Sequence, residues 1–371
     1  MSEGQPQQRK VPSDFTQIPI VWRYELLKYL RSRRLIASIA IAFVVIGLIY
    51  ILPPALGNPY SGSETGSNVT VVGLDVLGLP PGTLPYQSIG LFNKTGVSLS
   101  SLTISVNGTE IPRGATTWLI SGTNGAPKVD IPGVDVVLLF VVNVTGSDVT
   151  ASYDWNVPAE QFDGTFLNFA SILIVICATF FGADAIVGEY QNRTGYLMFP
   201  NPIKRGSLFF GKYAASMTAG IVVIGIFYAS ITILSLLTIG KIDADLGLSF
   251  AYAFEYLLAV MAIAYFISSI LKGTTGATVL TFFMFVMILP IVDGVSSVAG
   301  VKISASITFA AGVLQYILQD PYPHDSTQAV GGMTFHSYYP DPAMAALTIF
   351  IYAAVAIVLS LILFKRKELS G

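Results

Sequence analysis

Residues 35–54 read LIASIAIAFVVIGLIYILPP, twenty positions without a charge, entered from Arg33 and Arg34 and closed by Pro53 and Pro54. As a helix rising 1.5 Å per residue, such a run is about 30 Å long, the thickness of a bilayer's hydrocarbon layer. Amides in hydrocarbon have no water to bond, so the run must satisfy them internally, as a helix does. Basic residues precede it, as they precede a secretory leader. It is nonetheless longer than a leader's apolar core, follows 34 residues and ends without a convincing cleavage pattern. It reads as an uncleaved first span.

The same pattern recurs at about 165–187, 208–239, 250–271, 275–292 and 344–364, the fifth run being close to the minimum length for a crossing. A weaker stretch at 303–318 carries Ser304, Ser306, Thr308 and Gln315 and reads as lying at the outer surface or partly entering it. Composition agrees, with 53% hydrophobic and 11% charged residues and a mean hydropathy of +0.66. An average soluble domain has about 25% charged residues. The formal net charge of -2 and the lack of a long basic tract speak against nucleic acid as a partner. Cys177, the single cysteine, lies in an apolar run, so neither an intrachain disulfide nor a CxxC zinc site is available.

With six crossings both termini fall on one side. Placing the N-terminus in the cytoplasm puts fifteen of the twenty basic residues inside and leaves Lys94, Arg113, Lys128, Lys241 and Lys302 outside. This is the distribution the positive-inside rule requires, and it predicts a plasma-membrane protein with both termini cytoplasmic. Residues 57–163 then lie outside. They are rich in Thr, Val, Ser, Gly and Asn, with Leu102 to Val106 alternating before Asn107-Gly108, a hairpin signal, and a nearly continuous apolar run from Val134 to Val144. About 100 such residues predict a β-rich, sandwich-like extracellular domain between the first and second spans; a short helix over Val134 to Val144 is the alternative. The stretch carries sequons at Asn68, Asn93, Asn107 and Asn143, candidate N-glycosylation sites on that face.

Enzymatic signatures are weak. Gly206 to Lys212 reads GSLFFGK and resembles a phosphate-binding loop, but no strand precedes it, Phe209 and Phe210 fill it, and Tyr213 stands where a magnesium-binding hydroxyl belongs. Lys212 reads instead as an interfacial lysine at the inner end of a span. His324 and His336 share an outer loop in no hydrolase or metalloprotease spacing. Glu255, about 9 Å inside the fourth span, reaches the headgroups or lines a translocation route. Asp184 and Glu189 close the second span, where the first can pair with a neighbouring helix's cation.

Two stretches carry a resemblance. Val21 to Arg31 (VWRYELLKYLR) places Trp22, Leu26, Tyr29 and Leu30 on one face and lets Arg23, Lys28 and Arg31 lie toward phosphates, as in an interfacial elbow helix that also holds Glu25. After the second span comes DAIVGEYQNRTGYLMFPNPIKR, residues 184–205, and then Gly211-Lys212 opening the third. In order and topology this resembles the permease subunit of the type-2 ABC exporter family. The resemblance implies that Glu189, Arg193, Thr194, Gly195, Pro202 and Arg205 lie in an element that docks on a separate ABC-type ATPase subunit. It also implies that this chain binds no cofactor, with ATP and magnesium on that partner, and that a second permease copy or a paralogue completes the transporter beside membrane lipids. Surface or re-entrant helices are expected within 293–343. So few charges in the spans suit an amphipathic cargo. The competing reading is a non-transporting cell-surface assembly protein whose spans only anchor the outer domain.

Overall fold

A computed structural model describes residues 14–66, 86–92, 103–106, 109–111, 118–120, 136–142, 149–191, 204–330 and 333–366. Among the described residues, six helices are long and apolar enough to cross a membrane: Arg33–Ala55, Ala159–Phe181, Arg205–Thr238, Leu246–Ile270, Thr274–Val298 and Pro342–Arg366, here spans 1 to 6. An elbow helix, Asp14–Leu30, precedes them. The chain divides into two compact units. One holds residues up to Ile51, Asp163–Leu234 and Ile242 onward; the other holds Leu52–Phe162 with Ser235–Lys241.

In the first unit, span 4 carries the core. Its Tyr256, Leu257, Ala259, Val260, Met261, Ala262, Ala264 and Tyr265 are all buried. Small residues set the helix spacing around it. A Cβ on Gly182, just past span 2, would come within 2.7 Å of Met261 Sδ, and one on Gly220 of span 3 within 3.0 Å of Leu257. Ala215 is buried as well, while Gly225 faces open space. These contacts are van der Waals packing of small residues against larger ones, the force that joins helices where lipid is as apolar as the side chains.

Span 5 corrects an expectation. It runs past 292 to Val298, because a π-helical turn, Met284–Ile288, joins Thr274–Phe283 to Leu289–Val298. Asp293 and Gly294 read as a loop in sequence, while Pro290 falls inside the expected span. A π turn shifts the hydrogen-bond ladder, and a proline in the first turn of the restarted helix gives up only an amide that had no partner to lose. The boundary of the following loop therefore moves from 293 to 299. Within that loop, Ile307–Ala310 and Val313–Tyr316 form two short helices with Ile307, Ala310, Val313 and Leu314 buried. Ser249 Oγ of span 4 donates to the Leu314 carbonyl at 2.6 Å, and Tyr352 Oη of span 6 donates to the Ala305 carbonyl at 3.1 Å. Farther along, Ser326–Val330 and Met333–Ser337 pair antiparallel. Asp325 at the base of this hairpin takes both Lys302 Nζ, at 2.8 Å, and the Tyr339 amide, at 2.8 Å. Partial burial opposes ionisation of Asp325, but those hydrogen bonds and the lysine's charge win and hold its carboxyl below the usual range.

In the second unit the described strands, numbered in chain order, are β1 Ser61–Gly66, β2 Tyr86–Phe92, β3 Thr103–Val106, β4 Thr109–Ile111, β5 Trp118–Ile120, β6 Val136–Val142 and β7 Val149–Asn156. They form two antiparallel sheets, ordered β1-β7-β3-β4 and β2-β6-β5. Val106 pairs with Thr109, the register expected of a hairpin with two residues between its strands. The apolar run expected as a strand supplies β6, the central strand of its sheet. The sequons at Asn68, Asn93, Asn107 and Asn143 lie outside the described residues.

Candidate coupling site

The elbow helix buries Gln17, Val21, Glu25 and Tyr29, one residue per turn. This stripe differs from the face expected from the sequence: Trp22 and Leu26 are half-buried at its edge and Leu30 is exposed. A carboxylate can occupy the packed stripe because a cation waits opposite. Lys212 of span 3 is 5% exposed and places Nζ 2.7 Å from Glu25 Oε1 and 2.6 Å from Glu189 Oε1, the two carboxylates being 2% and 14% exposed. One buried ammonium thus joins the elbow helix to the segment after span 2. Lys28 adds a weaker contact to Glu25 Oε2 at 3.4 Å from the exposed side.

Glycine brings the helices close enough for this. A Cβ on Gly211 would sit 2.6 Å from Val21 Cβ and 3.1 Å from the Ile18 carbonyl oxygen. Nothing larger than hydrogen fits at that crossing without a shift. Trp22 Nε1 donates to Thr218 Oγ1 of span 3 at 3.0 Å, and the Lys204 amide donates to Gln17 Oε1 at 3.0 Å.

The C-terminal end of span 2 has carbonyls that no helical amide can reach. Tyr29 Oη donates to the Phe181 carbonyl at 2.9 Å, Ser216 Oγ contacts the same oxygen at 2.9 Å, and Ser216 Oγ lies 2.7 Å from Tyr265 Oη. Arg34 of span 1 donates from Nη1 to the Phe180 carbonyl at 3.0 Å and pairs with Asp184 Oδ2 at 2.6 Å. A cation at a helix C-terminus also suits the helix dipole. Burial pushes the Tyr29 phenol up to about 12, with the Ser216 hydroxyl and the Lys212 charge acting against it. Because the neutral phenol is the form the fold prefers, its contribution is fully present below about pH 10 and is lost as pH rises toward about 12. The native protein is therefore expected to release its elbow helix across that alkaline window, and Tyr29→Phe to lack that step; hydrogen exchange of the elbow amides reads both.

The segment after span 2 is fastened to several helices. Within Val187–Gln191, Glu189 holds Lys212; the Ile186 and Val187 amides donate to Ser268 Oγ of span 4 at 3.1 and 3.0 Å. Gln191 Oε1 accepts from the Thr274 amide, which opens span 5, at 3.0 Å. At the far end of the same segment, Arg205 Nη1 donates to the Lys365 carbonyl of span 6 at 2.9 Å. Arg193, Thr194, Gly195 and Pro202 lie outside the described residues. Arg23, Lys28 and Arg31 are exposed. A polar cavity of about 540 Å³ opens beside these groups, bounded by Tyr24, Glu25, Ser32, Arg34, Asp184 and Lys212 among others.

Other candidates fall elsewhere. Glu255 is half-buried in span 4 and makes no hydrogen bond or ion pair among the described residues. Gly206 to Lys212 is the helical start of span 3 with Phe209 buried in it, and not a loop that wraps a phosphate. His336 Nδ1 lies 3.0 Å from Thr327 Oγ1 in the hairpin. Lys212 as the hub, and its pairing with Glu25 across 187 residues, was not foreseen from the sequence; a lone lysine followed by 26 helical residues without a charge is the signal that could have drawn attention to it.

A six-span helical bundle whose polar side chains gather where the elbow helix, span 2 and span 3 meet defines a multi-pass helical membrane protein. The chain belongs to the family described as ABC-2 family transporter protein, which matches residues 19–369 and so takes in most of the elbow helix and all six spans. No curated protein matches it. The family is a transport membrane subunit that is not itself catalytic and normally works with an ATPase subunit, so this chain is the permease subunit of an ABC transporter.

Proposed function

We propose that the permease exports an amphipathic substrate, driven by ATP bound with magnesium and hydrolysed on a separate ABC-type ATPase subunit, with a second permease copy or a paralogue completing the route. The supporting observation is the shared lysine: the Glu25–Lys212–Glu189 bridge ties the elbow helix and span 3 to one end of the 189–205 segment, while Arg205 ties the other end to span 6. A partner that moves this segment therefore pulls on several helices at once, which is what conversion of a partner's closure into a rearrangement of spans requires. In this reading Glu189 and Arg205 shape the docking element from behind, and Arg193, Thr194, Gly195 and Pro202 belong to the element itself. Ile20, Tyr24 and Leu27, exposed on the elbow helix, would lie against lipid, with Arg23, Lys28 and Arg31 at the phosphates of the cytoplasmic leaflet. Both termini lie in the cytoplasm at the plasma membrane, and the sheets of 57–163 pack as a sandwich on the outer face.

The test is purification of the tagged chain from native membranes in mild detergent, with co-purifying proteins identified by mass spectrometry. An ATPase subunit is expected in comparable amount, reduced at least fivefold by Glu189→Ala or Arg205→Ala while the permease itself stays folded. Full recovery of the ATPase from both variants would remove 189–205 from the docking role.

A further inference from the structure

A second cavity, of about 400 Å³, lies among span 2, span 4, the C-terminal half of span 5 and the two short helices at 307–316. Its walls are aromatic, with Tyr256, Phe285, Phe309, Tyr316 and Tyr338, and among the described residues its only charged one is Asp293, with no lysine, arginine or histidine in the lining. Asp293 Oδ2 accepts a hydrogen bond from Thr308 Oγ1 at 2.6 Å. Asp293 Oδ1 is buried and has no partner among the described residues. A buried carboxylate oxygen in an aromatic chamber calls for a donor from outside the chain.

We propose that this cavity binds an organic ammonium ion carried on an apolar body. An N–H of the ligand donates to Asp293 Oδ1 in a charge-assisted hydrogen bond, and the rings take the apolar part and present their negative faces to the charge. The volume falls within the range of small-molecule sites, with one charged group to fix orientation in a mostly apolar room. The absence of any cation from the lining, among the described residues, tells against an anion as the group held at Asp293, so the phosphate of a lipid whose amine reached Oδ1 would stay outside the cavity. As a statement of what is exported, the inference rests on the export reading above; as a binding site it does not. The natural source is a carried amine or the amine headgroup of a lipid.

The test uses the full chain in phosphatidylcholine nanodiscs without any ATPase, so its outcome is separate from that of the co-purification. The probes are 4-phenylbutylammonium and its neutral counterpart 4-phenylbutanol, with binding to empty discs subtracted. The amine is expected to bind saturably and at least tenfold more tightly than the alcohol. Asp293→Asn is expected to abolish that tenfold preference, and Val286→Phe, which fills the cavity and leaves the carboxylate, to weaken both probes. Equal binding of amine and alcohol to the native chain, or undiminished amine binding in Asp293→Asn, would overturn the proposal and leave Oδ1 to an ordered water. If Asp293→Asn fails to fold, the native amine-to-alcohol ratio and Val286→Phe decide. Exchanging part of the phosphatidylcholine for phosphatidylethanolamine then separates the sources: weaker amine binding upholds the site with a lipid headgroup as its occupant, and unchanged binding upholds it with a carried molecule.

Discussion

Lys212→Ala is expected to lose about 3–5 kcal/mol of stability, the cost of stranding buried charge by removing one partner of an ion pair. Here a single deletion leaves both Glu25 and Glu189 without the ammonium that holds them at 2.7 and 2.6 Å. Denaturation of the detergent-solubilised chain should show the loss. Hydrogen exchange should locate it in residues 17–29 and 187–191, the two segments the lysine joins. The triple variant Glu25→Gln, Glu189→Gln, Lys212→Met separates stranded charge from lost packing, since replacing a whole buried ionic group by neutral groups of similar size is often close to neutral. The triple variant should regain most of the stability yet recover less ATPase in the co-purification, because the bridge is gone. A triple variant as unstable as Lys212→Ala would mean that packing of the lysine's methylenes, and not its charge, is what counts.

Gly211→Val should have the next largest effect. Even the first carbon of the new side chain would lie 2.6 Å from Val21 Cβ, and the Ile18 carbonyl at 3.1 Å offers no flexible end to swing away. Overpacking of this kind costs about 1–3 kcal/mol. The gain in helix propensity from replacing glycine offsets less than about 1 kcal/mol. The elbow helix has to move outward, and the adjacent Glu25–Lys212 contact lengthens with it. Elbow amides should then exchange at least fivefold faster, with spans 4 to 6 unchanged. Unaltered exchange across residues 17–29 would show that the crossing has slack.

The spans were legible because length and hydropathy are sufficient for a helix in lipid: the backbone has no other way to bond itself. Legibility failed just past Pro290, where Asp293 and Gly294 look like the start of a loop and the helix restarted after the π turn runs on to Val298. The pairing of Val106 with Thr109 was legible for a local reason too, since Asn-Gly between alternating runs is a hairpin signal in sequence. Charge pairing was another matter. Asp184 could be expected to find a cation on a neighbouring helix, and Arg34 is that cation. Which of fifteen basic residues answers Glu25 depends on how the elbow helix leans on span 3, and that lean is set by the absent side chain of Gly211. Asp293 drew no notice because its neighbours Gly294, Ser296 and Ser297 suggest a loop, and a loop aspartate is ordinary. Only its place in a helix beside Thr308 and five rings makes its bare oxygen informative.

The elbow helix is, by these contacts, part of what makes the bundle soluble in lipid. A chain begun at Arg33 would keep six spans by hydropathy and would pass any count of crossings. It would also leave an ammonium in the third span with half of its counter-charge, strip the Phe181 carbonyl of its phenol, and uncover Gly211 on the same helix. Shortened versions built to find a minimal permease should therefore fail at insertion or assembly before transport is ever measured, and adding residues 14–32 back as a separate peptide is the way to rescue them.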